Sequence, residues 1–227
     1  MAARPAVVVF DVNETLSDME PLRARFVDVG APEHLLEAWF AATLRDGFAL
    51  TAADAYADFA DVAAASLRTT LTGVEGMNRD IEDAIGHVIS GLPALDVHPD
   101  VPDGVRRLHD AGIRLATLTN GSVQLSEDML SRAGVLDLLE HRMSVSEAGA
   151  WKPAAKPYRY AAARCGVPVQ QMALVAVHPW DTDGAKRAGL TSGWINRKGL
   201  PYPEHFSVPD ATGPDLPSVA EALLSLA

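Results

Sequence analysis

Ala6-Val7-Val8-Val9-Phe10-Asp11 is a short, unbroken apolar run closed by a carboxylate. No polar residue alternates through it, so it predicts a strand buried on both faces, as in a parallel sheet. Beyond it the apolar period changes. From about Met19 to Leu92 the spacing is helical: Leu36, Trp39, Phe40 and Leu44 share one face, as do Tyr56, Phe59, Ala60, Ala63 and Leu67, and later Ile81, Ile85, Val88 and Leu92. Gly30-Ala31-Pro32, Thr51 and the stretch from Thr72-Gly73 to Gly76 supply stops and starts between these helices. After Pro93 strands and helices alternate. Strands are predicted over 113–119, 141–145, 172–177 and 193–196, and helices over 105–111, 122–133, 156–165 and 181–188, with a terminal helix over 217–227. Such alternation is the βαβ signature. The expected fold is α/β: a Rossmann-like parallel-sheet core from residues 1–16 and 97–227, with residues 17–96 inserted as a helical cap.

Composition narrows the function. At 227 residues, 48% of them hydrophobic, the chain has enough apolar material for a large core without covalent staples. Cys165 has no partner for a disulfide, which fits a reducing compartment and predicts a cytoplasmic protein; its apolar helical setting marks it as packing. With 19 Lys+Arg against 30 Asp+Glu the net charge is -11, so nucleic acid and anionic membrane surfaces are repelled. No run approaches the roughly 20 apolar residues of a membrane helix, and the first ten residues lack a signal core. The seven histidines show no metal-ligand spacing.

In an open parallel sheet, ligands bind beyond the carboxyl ends of the strands. The strand ends carry, in order, Asp11, then Thr119-Asn120-Gly121-Ser122, then Lys152 in Ala150-Trp151-Lys152-Pro153, then His178-Pro179-Trp180-Asp181. Taken singly each has a plain reading: Asp11 as a turn residue, Ser122 and Asp181 as helix caps, Lys152 as a solvated lysine. Their joint placement on one sheet edge is what those readings do not predict, and it points to a catalytic set.

Phe10-Asp11-Val12-Asn13-Glu14-Thr15-Leu16, Leu118-Thr119-Asn120-Gly121-Ser122, Lys152-Pro153 and Trp180-Asp181 resemble the four ordered motifs of the haloacid dehalogenase superfamily, over nearly the whole chain. The stretch from Lys152-Pro153 to Tyr158, with Trp180-Asp181 before Gly184-Ala185, is most similar to the (S)-2-haloacid dehalogenase branch. That resemblance implies a small anionic organic acid as substrate and no metal or cofactor. It implies Asp11 as nucleophile, Lys152 keeping it ionised, and Asp181 orienting or activating the hydrolytic water. Thr119, Asn120 and the N–H groups from Val12 onward hold the substrate carboxylate or ester oxygen, and Tyr158 and Trp180 line the pocket. A homodimer through the apolar cap face fits the resemblance, although packing on the core explains the same periodicity.

Departures from both neighbouring patterns matter. Magnesium-dependent phosphatases of the superfamily place a second Asp where this chain has Asn13, and an amide transfers no proton. Ala176-Val177 replaces their Gly-Asp pair, leaving fewer carboxylates for a hard cation. An atypical magnesium phosphatase therefore ranks below the dehalogenase. From the dehalogenase branch the chain departs at Asn13 (usually Tyr), Glu14 (usually Gly), Ala176 (usually Ser) and His178 (usually Asn). The cap's Trp-Arg pair, whose arginine receives the halide, is matched by Trp39-Phe40. Arg45, about one turn further on, is the candidate replacement, with a solvated surface arginine as its plain alternative. His178 either assists the water or hydrogen-bonds the loop; Asn13 either meets substrate or shapes the turn. A related branch opens azetidine-2-carboxylate by the same carboxylate attack, and there a missing halide arginine is no handicap.

Overall fold

The computed structural model of the protein describes residues 3–226. Its sheet has six parallel strands in the order β3-β2-β1-β4-β5-β6. They are β1 (Val7–Phe10), β2 (Arg114–Thr119), β3 (His141–Ser144), β4 (Met172–Ala176), β5 (Thr191–Ile195) and β6 (Ala211–Gly213). The expected Rossmann-like core is thus observed, and β1 is central, with Phe10 opposite Thr117 on one side and Val175 on the other. Chain order reverses between β1 and β4, which opens a crevice directly beyond Asp11.

Alternation along β1 feeds two cores. Val8 and Phe10 pack with Leu108, Leu115, Leu216 and Val219 on one face, while Val7 and Val9 pack with Leu118, Trp151, Tyr158 and Leu174 on the other. The first face is covered by α5 (Val101–Asp110), α6 (Val123–Arg132) and α9 (Leu216–Leu224), the second by α7 (Ala155–Arg164) and α8 (Pro179–Ala188).

Between β1 and β2 the chain forms α1 (Leu22–Asp28), α2 (Leu35–Ala52), α3 (Phe59–Leu71) and α4 (Ile81–Ile89), which bury a third cluster around Phe26, Trp39, Leu67 and Val88. Trp39 donates its indole N–H to the Ala63 carbonyl at 2.8 Å, tying α2 to α3. Where this helical segment leaves and rejoins the core, Ser17 and Val97 form an antiparallel bridge.

Several elements differ from expectation. Helix α5 starts four residues early because Pro102 suits a first helical turn. For the same reason α8 starts at Pro179, which puts Trp180 and Asp181 inside its first turn. Tyr56 precedes α3 and Ala60 is exposed, so that predicted face is carried by Val62, Ala63, Ser66 and Leu67. Strand β6 is three residues long and flanked by Pro209 and Pro214; such punctuation reads as loop until β5 offers a free edge.

Candidate active site

Asp11 follows β1 directly, and its N–H still donates to the Val175 carbonyl at 3.0 Å, so the sheet aims its side chain into the crevice. Both carboxyl oxygens are engaged. Oδ1 accepts from Lys152 Nζ at 2.8 Å and Oδ2 from Thr15 Oγ1 at 2.7 Å, while Thr15 Oγ1 accepts from the Val177 N–H at 3.1 Å. Lys152 is fully buried; its N–H donates to Asn120 Oδ1 at 3.0 Å, and Nζ also donates to Asp181 Oδ2 at 2.6 Å. Tyr158 closes the chain by donating its hydroxyl to Asp181 Oδ1 at 2.5 Å. Gly184 permits this last contact: a Cβ there would lie 2.5 Å from Pro153 Cβ and 2.7 Å from the Tyr158 hydroxyl oxygen.

One ammonium thus serves two buried carboxylates. Burial pushes the Asp11 carboxyl up, but Lys152, His178 and the hydrogen bonds from Lys152 and Thr15 outweigh it, and Asp11 sits below its ordinary value. For Asp181 burial prevails over Lys152, and its carboxyl is raised. Burial lowers Lys152, yet the two carboxylates more than reverse that and hold it protonated. Burial and the neighbouring Asp181 keep the Tyr158 phenol protonated. The combination is an ionised, oriented carboxylate beside a fixed positive charge, which is what nucleophilic attack on carbon requires.

His178 is the N-cap residue of α8 but makes no capping bond with its side chain. Its ring stacks on Trp180 at 4.9 Å between centroids and faces Phe40 at 6.2 Å, and Phe48 meets Trp180 edge-on at 5.0 Å. Nε2 lies 3.2 Å from the Asn13 carbonyl, 3.6 Å from Asp11 Oδ2 and 3.7 Å from Glu14 Oε2. Glu14 has a φ of 60°, left-handed backbone that Gly adopts freely and Glu does not. Two cavities flank Asp11 without being lined by it. One of about 320 Å³ is bordered by Glu14, Leu36, Phe40 and His178, and one of about 550 Å³ by Phe59, Asn120, Ser122 and Ser144. A third, about 50 Å³, is lined by Val12, Asn13 and Gly121. The N–H groups of Val12 and Asn13 make no hydrogen bond to any of the described residues.

The structure gathers Asp11, Val12, Asn13, Phe40, Asn120, Lys152, His178, Trp180 and Asp181 at this edge, and it changes some expected roles. Arg45 is not in the site: its side chain is 69% exposed and paired with Asp46 at 2.8 Å. Five residues of α-helix turn it about 140° away from Phe40. From α2, Phe40 faces His178 and Phe48 meets Trp180. Tyr158 does not line the pocket; fully buried, it holds Asp181 from behind. Thr119 Oγ1 accepts from the Gly121 N–H at 2.9 Å and so shapes its own loop. Two contributors escaped the sequence reading. Thr15 stands four residues after Asp11, a spacing that lets a tight turn fold it back. Phe48 stands eight residues after Phe40, on the same side of α2. Burial pushes the Cys165 thiol up to about 11, consistent with packing alone. Among the described residues no three His, Cys, Asp or Glu side chains gather as metal ligands, and no helix is long and apolar enough to cross a membrane.

Comparison with known proteins places this arrangement in a class. The model of the haloacid dehalogenase-like hydrolases matches residues 5–189, and the chain belongs to this family of hydrolases. Its relatives include the (S)-2-haloacid dehalogenase of Pseudomonas sp. (strain YL), 27% identical over 94% of this chain and 92% of that protein. Haloacetate dehalogenase H-2 of Moraxella sp. (strain B) is 34% identical, over 55% of this chain and 56% of that protein. Among solved structures, the L-2-haloacid dehalogenase RSc1362 superposes with a TM-score of 0.89 at 28% identity, covering 99% of this chain and all of that one.

Proposed function

We propose that the protein is a metal-independent hydrolase of small 2-substituted carboxylic acids, with 2-haloacids as the first substrate class, acting through a covalent ester on Asp11. The observation that carries the reading is Lys152 Nζ at 2.8 Å from Asp11 Oδ1, in a site whose residue two positions on is the amide Asn13. The site thus has a nucleophile held ionised, while the position used for proton transfer in phosphoryl hydrolysis carries no acid. The names of the relatives favour the same substrate class. Asp11 attacks C2 of the acid and halide departs. The substrate carboxylate is held by the N–H groups of Val12 and Asn13 and by the Asn120 amide, and residues 17–96 act as the cap over a core of 1–16 and 97–227.

The exposed placement of Arg45, away from the site, favours one second reading, ring opening of azetidine-2-carboxylate by the same attack. Halide release from 2-chloropropionate and haloacetates, with and without EDTA, tests the first reading. The expected result is EDTA-insensitive release that Asp11→Asn abolishes. Ring opening without any halide release establishes the second, and magnesium-dependent release of phosphate from p-nitrophenyl phosphate overturns both.

A further inference from the structure

Lys152 serves both carboxylates of the site, and its backbone is pinned from two parts of the molecule. Its own N–H donates to Asn120 Oδ1, in the loop after β2, at 3.0 Å. The preceding N–H, that of Trp151, donates instead to Thr51 Oγ1, in the last turn of α2, at 2.9 Å. The Trp151 side chain makes the same crossing into the helical segment. Fully buried, it donates its indole N–H to the Ala57 carbonyl at 3.0 Å and stacks on Phe59 at 5.8 Å between centroids. Gly47, inside α2, leaves room for the ring: a Cβ there would lie 2.3 Å from Trp151 Cε3. Glycine weakens a helix interior, so this close approach gives it a reason that α2 alone does not supply. The ring also packs in the core cluster of Val9, Leu118 and Leu174, which Leu44, Leu50 and Val62 extend into the helical segment.

We infer that Trp151 is a positioning residue for the Asp11 nucleophile: seated against Thr51, Ala57 and Gly47, it fixes the backbone from which Lys152 reaches Asp11. The kinetic consequence rests on the covalent reading above. A lysine carries its ammonium on a flexible four-carbon stem, so holding Nζ at 2.8 Å from Asp11 and 2.6 Å from Asp181 requires a fixed Cα at its base. Asn120 holds that backbone from the core side, and Thr51 and Ala57 hold it through Trp151 from the side of α2 and α3. Release of the second anchor frees the backbone to shift and lengthens both contacts of the ammonium together. Residues far along the chain from Asp11, in the segment inserted after β1, thereby set how well the nucleophile is oriented.

The lysines of the chain are Lys152, Lys156, Lys186 and Lys198, and Lys152 alone is buried. With the lysine side-chain nitrogens isotopically labelled, Lys152 should give a slowly exchanging ammonium signal in NMR spectra, assigned by its loss in Lys152→Arg. Exchange of that signal with water, beside backbone amide exchange in β1 and β4, tests the inference in Thr51→Val, Thr51→Ser and Trp151→Phe. Rapid-quench measurement of the halide burst from 2-chloropropionate accompanies it. In Thr51→Val and Trp151→Phe the ammonium protons are expected to exchange about five- to tenfold faster while the amides of the two strands keep their protection. The halide burst at saturating substrate should slow by about tenfold, with KM within about threefold of wild type. Thr51→Ser keeps the hydroxyl and should match wild type in both readouts. If Trp151→Phe does not fold, the two Thr51 variants decide. Ammonium exchange or a halide burst at the wild-type rate in Thr51→Val overturns the inference. Exchange that quickens equally at the ammonium and in the strands also overturns it, since that is loss of stability alone. A wild-type enzyme that releases no halide overturns the covalent reading instead, and the exchange measurement, which needs no substrate, still decides whether Trp151 positions Lys152.

Discussion

Thr15 Oγ1 donates to Asp11 Oδ2 at 2.7 Å, a contact made possible by the turn in which the Leu16 and Ser17 N–H groups both donate to the Val12 carbonyl. Thr15→Val keeps the shape and removes the donor, so the Asp11 carboxyl should move back up. Hydrogen bonds to charged groups contribute about 1.5–3 kcal/mol. A loss in kcat/KM of about ten- to a hundredfold is expected for Thr15→Val, with Thr15→Ser close to wild type. Wild-type kinetics in Thr15→Val would count against the contact.

Lys152 neutralises two carboxylates at once. Lys152→Met should destabilise the fold by about 3–5 kcal/mol at neutral pH, as removal of one partner from a buried ion pair does. The sign with pH follows. Without the ammonium, burial raises the carboxyls, and a carboxyl with a raised folded-state pKa destabilises the fold above its unfolded pKa, a cost that fades as acid protonates it. Urea unfolding at pH 7 and at pH 5 should therefore show a smaller gap from wild type at pH 5.

The wild-type esterification step has its own pH signature. Asp11 lies below the ordinary carboxylate value of 3.8 and Lys152 above the ordinary 10.5. The nucleophile and its cation thus keep their charges across the neutral range, and the burst rate of halide release should be flat from about pH 5 to pH 9. On the stability side, the Asp11 contribution is fully present above its unfolded pKa and lost as pH falls through the lower folded value. A burst rate falling already near pH 6 would contradict the assignment.

Gly184 and Gly86 make a matched pair of helix-interior positions. A Cβ at Gly86 meets nothing within 4 Å, so Gly86→Ala should stabilise the protein by about 0.5–1 kcal/mol. At Gly184 the same substitution drives Cβ into Pro153 and the Tyr158 hydroxyl. It should cost about 1–3 kcal/mol and lower turnover by displacing Tyr158 from Asp181. Thermal melts of both variants, with activity, check the contrast.

Arg45 supplies the opposite kind of test. Solvent-exposed and paired only with Asp46, it should be replaceable by Ala with turnover within about twofold of wild type. A large loss would return it to the site and require α2 to rotate.

The chemistry at the strand ends was legible because its signal is local. An apolar run ending in a polar residue marks where a buried strand meets the crevice, and Asp11 and Asn120 directly follow such ends, while Asp181 stands five residues past β4 and Lys152 eight past β3. Arg45 and Tyr158 were harder to place, since a residue's direction depends on which face of its helix the fold turns inward. Phe40 settles that for α2, and the Gly184 approach settles it for α7. Thr15 was missed because a hydroxyl after an aspartate reads as ordinary turn chemistry until Val177 arrives from β4 to share it.

By itself the sequence determined the fold class, the helical insertion after β1 and the order in which functional groups reach the sheet edge, because each follows from periodicity within a few residues. Tertiary structure alone decided that Lys152 meets Asp11, 141 residues away, and Asp181, 29 residues away, at the same nitrogen. That meeting depends on the strand order β3-β2-β1-β4 and on complete burial. In water these three charges would be screened and nearly independent. Inside the crevice, where little solvent screens them, they set one another's protonation.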